Sequence, residues 1–166
     1  MITVNKQQIK ELDACKDRFE RFTTSTDNTE YDIDVIDLIG SDVTTEDLLW
    51  LAGEILSKKK IAQFAVDCAE TVIHLSTDKG LAHNCIDVAK SAIKNDNKTN
   101  RDAASAVSAA AARAGAYAGA AAYAAYATSA TRAYVSAIYA VYAARDAARA
   151  ADNFDVKPHL IKLFTK

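Results

Sequence analysis

Residues that break regular structure are almost missing: one proline and five glycines serve a chain of 166 residues. That scarcity argues against a turn-rich sandwich or barrel and for long helices. Cysteine is equally thin. Cys15, Cys68 and Cys85 are odd in number and show no close-paired spacing, so free thiols in a reducing compartment are expected rather than a disulfide framework. The polar run Asn5-Lys6-Gln7-Gln8 follows the first four residues at once. No secretory pattern precedes it, and a cytoplasmic protein is expected.

The motifs of catalysis are missing as well. There is no Gly-x-Ser-x-Gly, no phosphate-binding loop and no dinucleotide fingerprint. His83 and Cys85 stand two apart on a helical pattern, which turns them about 200° from each other. Neither a zinc site nor a thiol–imidazole pair suits that geometry. Cys68 and His74 are no better aligned. No metal, no cofactor and no enzymatic activity are expected. Lys90, Lys94, Lys98 and Arg101 make a modest basic run, better read as a solvated helix end than as a phosphate track, so no nucleic acid is expected.

What the chain does contain is apolar residues at helical spacing. Ile9, Leu12, Cys15, Phe19 and Phe22 share one face and predict a first helix over residues 6–22. The polar run 23–28 reads as a loop. A short helix is predicted over residues 34–39, with Gly40 to end it. Thr44 and Asp47 then have the spacing of a helix start. Leu48, Leu49, Trp50, Leu51, Ile55 and Leu56 follow, with Lys58-Lys59-Lys60 as a break or rim. A stripe from Ile61 to Leu75 leads to a turn over 76–80, a helix over 81–94 and a loop over 95–98. Val156-Lys157-Pro158 introduces a last short helix with Leu160, Ile161, Leu163 and Phe164.

Between them, about half of residues 103–151 are alanine, with Tyr117, Tyr123, Tyr126, Tyr134, Tyr139 and Tyr142 interspersed. Alanine loses no side-chain entropy in a helix. A single rod of that length would reach about 70 Å at about 1.5 Å per residue, so a break is expected near Gly115 and Gly119 or at Thr128-Ser129. Arg113 and Arg132 interrupt the segment, and close helix packing in water suits it better than a membrane span. The expected fold is all-α: one helical domain over 1–166, a bundle of about six to eight helices. Within it, 1–97 form amphipathic helices, 98–152 closely packed Ala/Tyr-rich helices and 153–166 a short terminal helix.

Charge is unevenly divided. Residues 1–89 carry 9 basic side chains against 17 acidic, and residues 90–166 carry 11 against 5. The densest block, 27–54, holds nine acids and no base. Such a block suits a basic protein partner, and its candidate contact residues are Asp32, Asp34, Asp37, Asp42, Glu46 and Asp47. Attraction between the negative front and positive back of two copies would also allow self-association.

The order of features carries a resemblance. Cys15, Arg18 and Phe19 are followed by Asp47-Leu48-Leu49-Trp50-Leu51-Ala52, then Ala65-Val66-Asp67-Cys68-Ala69, the alanine tract, and a terminal Leu163-Phe164. This resembles the alanine-rich immunity proteins, a bacterial and phage group likened to immunity family five of toxin systems. Tyrosines stand here where such tracts often carry tryptophan. The resemblance implies a small helical protein that sequesters a toxin. A phage-encoded protein that binds a host defence factor is the alternative it leaves open, beside a self-assembling helical module.

Overall fold

The computed structural model describes residues 2–25, 32–75, 79–100, 102–103 and 155–165. The expected breaks and tyrosine positions of the alanine tract lie outside them. The chain is all-α. Its compact units are two: Met1–Ile55 with Lys157–Lys166, and Leu56–Val156.

The first unit opens with a two-residue strand, β1 (Thr3–Val4), antiparallel to β2 (Ile33–Asp34), with Val4 opposite Ile33. Asn5 ends β1 and starts α1 (Lys6–Glu11) through a capping box. Its side chain accepts from the Gln8 amide at 2.9 Å, while Gln8 Oε1 accepts from the Asn5 amide at 2.9 Å. The predicted single helix over 6–22 is broken. Asp13 sits at φ 58°, in the left-handed region that stops α1. A second helix, α2 (Lys16–Ser25), then begins, and it runs three residues past the predicted end. Thr23 is helical, and its hydroxyl donates to the carbonyls of Phe19 and Glu20, at 2.9 and 3.0 Å, instead of drawing the backbone into a loop.

Residues 35–38 form one 3₁₀ turn, shorter than the helix predicted there. Gly40 follows it at φ 101°, a backbone that L side chains rarely adopt. Next comes α3 (Thr45–Ile55), which buries Leu48, Leu49, Leu51 and Ala52. Together with Val35, Leu38, Phe22 and these residues the first unit buries Leu160, Leu163 and Phe164 of the terminal helix, Lys157–Thr165. The terminal helix packs on the 3₁₀ turn.

In the second unit, Ser57 caps α4 (Lys58–Val72), accepting from the Lys60 amide at 3.3 Å. The three lysines expected to mark a break therefore form the first turn of a helix, and the break falls at Leu56–Ser57. A 3₁₀ turn (Ile73–Leu75) and α5 (Lys79–Lys94) follow. Lys79 and Gly80, expected in a turn, begin that helix. Lys98, expected in the next loop, is helical again. Helices α4 and α5 pack together, and small residues dominate what they bury: Ala62, Ala65, Ala69, Ala82, Ala89 and Ala92, beside Cys68 and Cys85. Ala89 is fully buried on that surface, where a larger side chain would crowd its neighbours. Ala89→Leu should cost about 1–3 kcal/mol, read from the urea midpoint; an unchanged midpoint would mean the helices are not closely packed at this residue.

Candidate protein-binding surface

The chain from Asp32 to Asp47 is held by short-range bonds that leave some carboxylates outward and commit others. Asp32 is exposed, and its Oδ1 accepts from Asn5 Nδ2 at 2.9 Å, tying it to the start of α1. Asp34 caps the 3₁₀ turn, accepting from the Ile36 amide at 3.1 Å. Beyond Gly40, Ser41 Oγ donates to the Leu38 carbonyl at 2.9 Å and accepts from the Val43 amide at 3.1 Å. Val43 is buried and anchors the loop, while Asp37, Asp42 and Glu46 are exposed.

Asp47 departs from the expectation. It is 1% exposed and cannot touch a partner. The predicted helix start is present and explains its position. Thr44 Oγ1 accepts from the Asp47 amide at 3.2 Å, and the Thr44 amide donates to Asp47 Oδ2 at 3.2 Å. The Thr44 hydroxyl adds a donation to Oδ2 at 2.8 Å. Two arginines of α2 complete the shell. Arg21 donates from Nε to Oδ2 at 2.6 Å and from Nη2 to Oδ1 at 2.8 Å, and Arg18 donates from Nε to Oδ1 at 3.0 Å.

Burial by itself pushes the Asp47 carboxyl up. Hydrogen bonds from Arg21, Thr44 and Arg18 together outweigh it and hold the pKa down at about 2, from an ordinary 3.8. The same contact raises Arg21, since its hydrogen bond to Asp47 exceeds the opposing effect of burial. Arg18 also lies over the ring of Trp50, its guanidinium carbon 4.5 Å from the centroid, and Trp50 in turn meets Phe22 at 6.3 Å between ring centres. Charge, cation–π contact and ring packing thus lock α2 to α3.

Elsewhere the expected separation of His83 and Cys85 is seen: His83 is exposed and Cys85 is fully buried on α5. Cys68 is buried as well, and Cys15 is exposed. Among the described residues, no three His, Cys, Asp or Glu side chains gather as a metal site would require. Among the same residues, no helix is long and apolar enough to cross a membrane. No protein-family model, curated protein or solved structure matches the chain.

Proposed function

We propose that this chain is a non-catalytic protein-binding module, an immunity protein that sequesters a toxin presenting a basic surface. One observation carries the reading. Asp32, Asp37, Asp42 and Glu46 are exposed along a stretch without a single lysine or arginine. Capping bonds and a buried loop residue hold that stretch in place, so its carboxylates meet a partner already arranged. Like charges displayed together raise the encounter rate with a cationic surface and do so less at high salt. The resemblance to alanine-rich immunity proteins points the same way.

The test is capture of partner from cells that encode the chain, at low and at physiological salt. It is followed by association kinetics of the captured pair with a variant in which Asp37 and Asp42 are both changed to lysine. Asp32 and Asp34 are left alone because their carboxylates hold Asn5 and the 3₁₀ turn. Association should slow about tenfold or more at low salt, with circular dichroism unchanged. Equal rates for the two proteins would remove the acidic stretch from the interface.

A further inference from the structure

Two guanidinium groups share one buried carboxylate. Arg18 Nε and Arg21 Nη2 both bond the same oxygen, Asp47 Oδ1, so the two cations are held side by side. Arg21 gives its Nε and Nη2 edge to Asp47. Arg18 gives only Nε. Among the described residues, its Nη1 and Nη2 groups meet no acceptor, yet the side chain is 24% exposed and cannot turn away. Trp50 backs one face of the guanidinium and Asp47 fixes its inner edge. Asp17 attracts Arg21 through space, more weakly than Asp47 does, and the outer donors of Arg18 are set apart from both of these contacts.

We infer that the outer edge of Arg18, beside Arg21 and Trp50, is a preformed receptor for a single carboxylate of a protein partner. This deepens the protein-binding reading and rests on it. Geometry selects the ligand: the paired Nη–H groups of a guanidinium meet the two oxygens of a carboxylate as parallel hydrogen bonds. The ring of Trp50 offers an apolar shoulder for the methylene stem of an acidic side chain. Buried acceptors that orient an arginine in advance lower the ordering cost of binding, and Arg and Trp are the residue types over-represented at interface hot spots. The surface is therefore of mixed sign. Outward carboxylates take the basic part of a partner, and Arg18 takes one acid among them.

Trp50 is the chain's one tryptophan, so its fluorescence reports on this place alone. The whole protein is titrated with N-acetyl-aspartate α-amide, a side-chain carboxylate on a peptide frame. Inorganic phosphate and chloride at equal ionic strength are run beside it. The carboxylate should change Trp50 emission saturably and move the Arg18 Nε–H resonance, with chloride doing neither. Arg18→Lys keeps the charge but not the fork, and should weaken the carboxylate response about tenfold. Any one of three results overturns the assignment: a carboxylate response equal to that of chloride, saturation by phosphate alone, or an unaltered titration in Arg18→Lys. The resonance shift is read in the unaltered protein and does not depend on how the variant folds. No partner protein enters these titrations, so their failure leaves salt-sensitive capture by the acidic stretch to its own measurement.

Discussion

Asp47→Ala should destabilise the first unit by about 3 kcal/mol, the largest expected effect of any single polar substitution described here. Removing one member of a buried ion pair typically costs about 3–5 kcal/mol, because the partner charge loses its counter-ion. Arg18 and Arg21 are 24% and 36% exposed, so water recovers part of that loss and about 2 kcal/mol remains. Loss of the cap on α3 adds about 1 kcal/mol. Asp47→Asn separates the two contributions, since an amide oxygen can still accept from Thr44 while the charge is gone. Urea unfolding of the three proteins measures this. A loss under about 1 kcal/mol in Asp47→Ala would mean the arginines gain nothing from the carboxylate.

The same contact sets a pH dependence whose sign is fixed. The carboxyl pKa is about 2 in the fold against an ordinary 3.8. Its ionised form is therefore favoured by folding. The stabilisation, about 2 kcal/mol, is fully present above pH ~4 and is lost as pH falls towards about 2. Asp47→Asn has no such titration. The stability gap between the natural protein and this variant should accordingly narrow by about 2 kcal/mol between pH 5 and pH 2.

Removing residues 157–166 should unfold the first unit. Leu160, Leu163 and Phe164 are buried there, although they lie far along the chain from the 3₁₀ turn on which their helix packs. Burying one such side chain contributes about 1.5–3 kcal/mol, so three contribute about 4–9 kcal/mol. That is comparable with the whole stability of a small domain, about 5–15 kcal/mol. Amide exchange is the suitable measurement: protection of α2 and α3 should collapse in the truncated chain. Retained protection would show that the terminal helix is an accessory to a core complete without it.

Local signals were legible wherever the physics is local. Ile61, Ala65, Cys68, Ala69 and Val72 recur at helical spacing, and α4 is there. Thr44 and Asp47 stand three apart, and each bonds the other's backbone amide. Composition points the wrong way where a residue has two uses. Thr23 belongs to a loop-like run by composition, yet its hydroxyl can satisfy itself on the preceding turn. Lys58 to Lys60 break a hydrophobic pattern but not a helix, because Ser57 supplies the cap. Asp13 breaks the first helix through a backbone angle that the apolar spacing of its neighbours does not reveal.

The candidate surface divided in the same way. Exposure of Asp37, Asp42 and Glu46 agrees with what a run of acids suggests. Asp47 belongs to the same run and has the opposite fate, since Arg18 and Arg21 reach it from 29 and 26 residues away. A helix needs only neighbours three and four residues distant, and a cap needs one side chain beside one amide. The amino-acid order by itself therefore determined the helical class, the start of α3 and the acidic front half. Which carboxylate is buried, which arginines reach it and where the last helix docks depend on contacts between distant segments. Those are decided only when hydrophobic burial brings the segments together and leaves each charge either a partner or water.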